Sequence, residues 1–215
     1  MRKTPSVYEK QHDERELAIL SATKRLALEQ GFSNVTMGAI AKAAKVSRQR
    51  LYLYFPNTDS LFYRIQIQDM TTFVSSMQAT LVSLNGLRSK EGLIALTKSL
   101  FAFRHAHSED FLFTAEFDTY YRARRADPAL RKEYADTYRD LAFQKAIYTF
   151  FEDGVKQGEF RKDLSPEDAT FFWANTLQLI QERLSIFEAN GEEHTPEEIE
   201  RFEREALRAF TAYLI

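Results

Sequence analysis

The chain reads as an all-α protein, and three observations carry that reading. Seven glycines and five prolines are few among 215 residues, and they fall at the edges of periodic segments, where helix starts and stops belong. Apolar residues recur at three- and four-residue spacing, while strict alternation is nowhere sustained. Asp127, Ser165 and Thr195 each stand directly before a proline, the arrangement of a capping side chain followed by Pro at the first helical position.

The first helix runs from about Asp13 to Gln30. Ile19, Ala22, Thr23, Leu26 and Ala27 make one inward stripe, and Gly31 supplies the left-handed stop. Thr36 caps a short second helix whose inner face is Met37, Ile40, Ala41 and Ala44, and Ser47 caps a third that Pro56 closes. From Asn57 to Asn85 there is no Gly or Pro, and Leu61, Ile65, Met70, Phe73, Val74, Met77, Leu81 and Leu84 trace an apolar stripe. A helix of that length spans roughly 40 Å, which makes it a rigid connector. The domain boundary therefore falls near residues 57–68, dividing the chain into 1–60 and 61–215. Further helices are expected over about 90–105, 109–124, 128–157, 166–189 and 196–214. Ser165 with Asp168, and Thr195 with Glu198, have capping-box spacing.

Composition narrows the class. Hydrophobic residues make up 44%, and 31 acids nearly cancel 29 Lys and Arg, so the signature of a disordered chain does not apply. The absence of cysteine excludes disulfides, thiolate nucleophiles and Cys-ligated metals, and a reducing cytoplasm is the expected location. No run approaches the ~18 apolar residues of a membrane span, no signal-peptide run opens the chain, and no membrane partner is expected. The formal charge of −2 hides an asymmetry: residues 1–68 carry 11 Lys and Arg against 6 acids, and residues 69–215 carry 18 against 25. Residues 30–58 contain Lys42, Lys45, Arg48 and Arg50 and no acid. A phosphate-facing surface is one reading of this stretch, and a solvated basic face is the other.

The two short helices separate these readings. A compact helical pair can lay its second helix in the ~12 Å wide major groove. At 100° per residue from Ser47, Leu51, Tyr54 and Phe55 cluster inward. Gln49 and Leu53 then point most outward, with Arg48 and Tyr52 on one flank and Arg50 on the other. Arg can bond guanine bidentately and Gln adenine, while Tyr hydroxyls and the Thr36 cap suit phosphate oxygens. The alternative is an ordinary surface helix with Tyr52 and Tyr54 half buried.

The run Thr36-Met37-x-x-Ile40-Ala41-x-x-Ala44-x-Val46-Ser47, then Leu51-Tyr52-x-Tyr54-Phe55 and Asp59-x-Leu61, resembles the helix-turn-helix signature of TetR-type transcriptional regulators. Leu26, Gly31-Phe32 and Val35 resemble that family's first helix and its exit. Lys45 stands where the family commonly has a turn glycine, and Thr58 where a phosphate-binding lysine is common. The resemblance implies an N-terminal three-helix DNA reader over 1–60 and a larger helical domain over 61–215 that binds a small effector and dimerises. It further implies a ligand-responsive repressor on a palindromic operator. The DNA-contact positions it implies are Thr36, Ser47, Arg48, Gln49, Arg50, Tyr52, Tyr54 and Thr58. Lys42 and Lys45 join them as basic residues of the acid-free stretch. A helical dimer that senses a small molecule or docks a protein without reading DNA is the competing function.

The C-terminal part is rich in aromatics, which suit either core or an apolar effector pocket between helices. The effector candidates are Phe101, Phe113, Phe117, Tyr120, Tyr148 and Trp173, with His105, Glu116 and Gln178 to orient a polar ligand end and Arg104 to pair with a carboxylate. The expected effector is apolar or aromatic. The last two helices resemble the family's dimerisation pair, and Phe172, Leu179, Phe187, Phe202, Ala206 and Phe210 fit an interface or the monomer's own core. The Arg122, Arg124, Arg125 cluster reads as a solvated helix end. No catalysis and no cofactor are expected. A helical di-metal site needs two Glu-x-x-His pairs and only Glu9-x-x-His12 exists, His105 and His107 diverge on a helix, and Gly-rich phosphate loops and G-x-S-x-G are missing.

Overall fold

Capping side chains set the helix starts. The computed structural model describes residues 7–83, 89–122, 124, 126–139, 142–191 and 194–214, with the side chains of 7–12, 89, 138–139 and 142–144 left aside. Among the described residues ten α-helical segments follow in order: α1 Val7–Gln30, α2 Met37–Ala43, α3 Arg48–Tyr54, α4 Thr58–Ser83, α5 Ser89–Ala106, α6 Ser108–Arg122, α7 Pro128–Arg139, α8 Ala142–Lys156, α9 Pro166–Asn190 and α10 Pro196–Leu214. No strand occurs among the described residues. The Ser165 hydroxyl accepts from Asp168 N at 3.2 Å. Thr195 and Glu198 form a reciprocal box: Glu198 N donates to Thr195 Oγ1 at 3.3 Å and Thr195 N to Glu198 Oε2 at 2.9 Å.

One element departs from the sequence reading, and another falls partly outside the described residues. α1 begins at Val7, six residues before Asp13. The segment 128–157, expected as one helix, is described as α7 and α8, with residues 140 and 141 outside the described set. Leu130 and Tyr134 of α7 pack in one core and Ile147 and Phe151 of α8 in another. Leu84 and Arg125, placed in patterns above, and the side chains of Glu9 and His12 lie outside the described residues.

The chain forms two compact units, Met1–Asp69 with Phe113–Thr137, and Met70–Leu112 with Tyr138–Ile215. In the first, α1 lies on α2 and α2 on α3. Ile19, Leu20, Ala27, Phe32, Ile40, Leu51, Phe55, Leu61 and Phe62 fill its core with Phe113 and Phe117. The Phe32 ring sits 4.4 Å from Phe62 and 4.9 Å from Phe113, centroid to centroid. Gln66, buried at 3% exposure, exchanges hydrogen bonds with Thr114 at 3.1 and 3.3 Å. In the second, α5 packs on α8, α9 and α10, and α9 on α8 and α10. Leu93, Leu96, Leu100, Phe151, Trp173 and Leu177 are buried there.

Candidate nucleic-acid interface

The short α2 and α3 are held by caps and by one buried face each. Thr36, extended at φ −121°, takes the Ala39 N–H on its hydroxyl at 3.2 Å, and Ser47 takes the Arg50 N–H at 3.2 Å. Each satisfies an amide that a helix start leaves open. Ile40 and Leu51 have no exposed surface and Ala41 and Phe55 little, so the pair is anchored from below. Truncating Leu51 to Ala would cost about 2–5 kcal/mol.

The turn between them is a Schellman motif. Val46 N donates to Ala41 O at 3.0 Å and Lys45 N to Lys42 O at 3.2 Å, with Lys45 at φ +56°. The same pattern ends α8, where Glu159 N donates to Gly154 O at 2.9 Å, Gly158 N to Val155 O at 3.1 Å, and the left-handed residue is Gly158. Lys45 therefore holds the glycine geometry unshifted, with the Cβ strain that an L residue carries there. Gly31 also has positive φ, but at φ +79° and ψ 146° it lies in a glycine region outside the left-handed helical one expected for it.

α3 shows one apolar and one open face. Leu51 and Phe55 are buried and Tyr54 half-buried, its ring stacked 6.5 Å from Phe55. Arg48, Gln49, Arg50, Tyr52 and Leu53 are exposed, Leu53 at 81%. Arg48 does not stand free of the protein: a Cβ placed on Gly38 would meet its Nη2 at 2.5 Å and its Nε at 3.2 Å. Its guanidinium thus lies over the first turn of α2, against the bare Cα of Gly38. Sequence reasoning missed Gly38, whose only signal is a glycine inside a seven-residue helix. Lys42 and Lys45 are exposed. Thr58, half-buried, opens α4 behind Asn57, whose Oδ1 accepts from Ser60 N at 2.8 Å. The adjoining Asp59 accepts a 2.7 Å hydrogen bond from the Tyr121 hydroxyl. Burial first, and then the Asp59 carboxylate, push the Tyr121 phenol well above its usual range.

The residues assigned to the effector are dispersed. Phe113 and Phe117 are fully packed in the first unit's core, and Tyr120 packs there at a tilt against Phe32 with the Arg124 guanidinium 4.2 Å from its ring centre. Glu116 is exposed. In the second unit, Phe101 and Trp173 are buried, with the indole Nε1 donating to Thr97 Oγ1 at 3.2 Å. Tyr148 is exposed, and Gln178 bonds Glu182 at 2.9 Å. Arg104 is not an open anchor for a ligand carboxylate. It is fully buried and already paired with Glu188 at 2.7 Å and Glu203 at 2.8 Å, partners 84 and 99 residues away that no local pattern could announce. His105 joins Glu203 at 3.2 Å, and His107 joins Asp110 at 3.1 Å and stacks on Phe103. Of the interface candidates, Phe172, Leu179 and Phe202 are exposed, as is Phe171. Phe187 is half-buried between Arg183 and His194, Ala206 is half-buried, and Phe210 is a core residue. Among the described residues, no group of three His, Asp or Glu could hold a metal ion, and no helix is long and apolar enough to cross a membrane.

A capped helical pair with a buried underside and a basic, acid-free outer face defines a helix-turn-helix DNA-binding transcriptional regulator. Residues 19–65 match the family model described as bacterial regulatory proteins, tetR family. The match covers the helix-turn-helix segment with the end of α1 and the start of α4. It is 26% identical over 159 residues to YfiR, an uncharacterized HTH-type transcriptional regulator of Bacillus subtilis strain 168, covering 74% of each chain. Its fold resembles a tetR-family regulatory protein from Rhodococcus RHA1, with a TM-score of 0.72 at 15% identity over 93% of this chain and 96% of that one. It also resembles AibR, solved in complex with isovaleryl coenzyme A and operator DNA, with a TM-score of 0.67 at 16% identity over 94% of this chain and all of that one.

Proposed function

We propose that the chain is a ligand-responsive repressor that binds an inverted-repeat operator as a homodimer. Residues 1–60 read DNA, and residues 61–215 bind the effector and dimerise. The observation that carries this reading is the open face of α3: Arg48, Gln49, Arg50 and Tyr52 exposed over a buried Leu51, in a stretch without acid. On this reading Gln49 and Arg48 meet base edges. Thr36, Lys42, Lys45, Ser47, Arg50, Tyr52, Tyr54 and Thr58 meet or flank phosphates.

Dimerisation is supported by Phe171, Phe172 and Leu179 on α9 and Phe202 on α10, which expose 45–72% of their surface in the single chain. Exposed apolar patches of this kind mark association surfaces, and a two-fold pair of readers calls for an inverted repeat. The similar AibR was solved with a coenzyme A thioester and operator DNA together, which supports a small-molecule input here. The effector acts by binding one DNA-affinity state better than the other.

The test is a panel of single-base operator variants, measured at several salt concentrations with Gln49→Ala and Lys42→Ala. Gln49→Ala should cost about 1–3 kcal/mol on the preferred site and relax base preference at one position per half-site. Lys42→Ala should weaken all sites alike and lower the salt slope by about 0.9 for each phosphate that its ammonium neutralises. A uniform loss across the panel for Gln49→Ala would defeat base reading by this face.

A further inference from the structure

The second unit holds buried polar atoms that the chain itself leaves unused. Arg104 Nε on α5 has no hydrogen-bond partner, and its Nη1 approaches Glu188 as an ion pair without hydrogen-bond alignment. On α9, Gln181 Oε1 and Ser185 Oγ are also buried without a partner, on side chains exposed by 2% and 1%. Positions 181, 185 and 188 fall within about 60° of one another around a helix. The two open oxygens therefore share the α9 face that carries Glu188, the carboxylate 2.7 Å from Arg104. Buried donors and acceptors are costly to leave unmade, and Arg104 is tied to this face of α9 through Glu188.

Their chemistry selects a partner. Gln181 Oε1 only accepts, Arg104 Nε only donates, and Ser185 Oγ does either. An amide can meet all three, and an amine can meet the two oxygens. An anion finds no welcome, because the Arg104 charge is already countered by Glu188 and Glu203. With His105 neutral the cluster is formally −1, and with His105 protonated it is zero, so in neither state is there net positive charge for a carboxylate.

We propose that the Gln181–Ser185 face of α9, with Arg104, binds the polar head of the effector, and that this head is an amide or amine rather than a carboxylate. This rests on the effector reading above and names its ligand class. The chain's single tryptophan, Trp173, lies two turns earlier on α9 and is buried against Thr97 of α5, so its emission reports on this contact.

The experiment titrates the full-length protein with 4-phenylbutanamide, 4-phenylbutylamine and 4-phenylbutanoate, following Trp173 emission and heat of binding. The amide and the amine should bind at least about tenfold more tightly than the carboxylate, a gap of about 1.4 kcal/mol. Gln181→Met and Ser185→Ala should each remove most of that preference while leaving the weak carboxylate binding unchanged. Circular dichroism checks each variant's fold, and Ser185→Ala, which removes one buried oxygen, serves if Gln181→Met fails to fold. Equal or tighter carboxylate binding, binding of none of the three, or a preference that survives in every folded variant overturns the assignment. Operator affinity separates the two claims. A bound amide that leaves operator affinity unchanged defeats the effector reading and spares the head-group assignment, whereas a preferred carboxylate that alters it does the reverse.

Discussion

Replacing Lys45 with glycine should stabilise the helix-turn-helix while weakening its grip on DNA. Lys45 is the one non-glycine residue with positive φ among those described, at +56°. A Cβ in that region costs about 1–2 kcal/mol, and glycine gives back roughly 0.5–1 kcal/mol through the freer unfolded chain. The net gain is about 0.5–1 kcal/mol. The motif stays whole, because both turn hydrogen bonds are made by backbone groups, and the end of α8 uses glycine at the same place. Melting of the whole chain would mix two units, so the assay is native-state amide exchange at Ile40, Val46 and Leu51. Protection should rise about two- to fivefold, the equivalent of that energy. Operator affinity should fall equally for all sequences, with the salt slope lower by about 0.9 if the ammonium neutralises a phosphate. Unchanged or reduced protection would refute the strain argument.

Three further outcomes follow from named contacts. Gly38→Ala should leave stability unchanged or raise it by about 0.5–1 kcal/mol, since the nearest atoms its Cβ meets are the mobile end of Arg48. Any effect on operator affinity should vanish in an Arg48→Ala background, which a double-mutant cycle by fluorescence anisotropy measures. Burial and Asp59 raise the Tyr121 phenol above its ordinary value of 10.0, so the stability it contributes is whole below pH 10.0 and declines as pH rises above it. Urea titrations from pH 8 to 11 should show a shallower alkaline loss for Tyr121→Phe, and an unchanged slope would contradict the contact. Leu179→Arg, at a residue 66% exposed, should change monomer stability by no more than about 0.5 kcal/mol while shifting sedimentation toward the monomer. An intact dimer would exclude this face.

The local features were legible because local chemistry makes them. Thr36, Ser47, Ser165 and Thr195 cap the helices that their spacing announces, and the inward set Leu51, Tyr54 and Phe55 follows from 100° per residue. What depends on distant partners was not legible. Phe113 and Phe117 have the same helical spacing as any pocket aromatic, and only their packing against Phe32 and Tyr63 places them in the first unit's core. Arg104 looked like an open cation because Glu188 and Glu203 come from two other helices. The lysine at position 45 marks a departure from the family's turn glycine, but only the backbone hydrogen bonds and its positive φ show that the turn keeps the glycine geometry.

The central claim is that the exposed face of α3 reads an inverted repeat, and selection from a random DNA pool tests it most directly. The purified full-length protein should enrich a palindrome whose half-sites lie one helical turn or a multiple of it apart, and Gln49→Ala should enrich the same palindrome with one position per half-site degenerate. Recovery of no common sequence by the wild type, or of an unchanged preference by Gln49→Ala, would contradict the account.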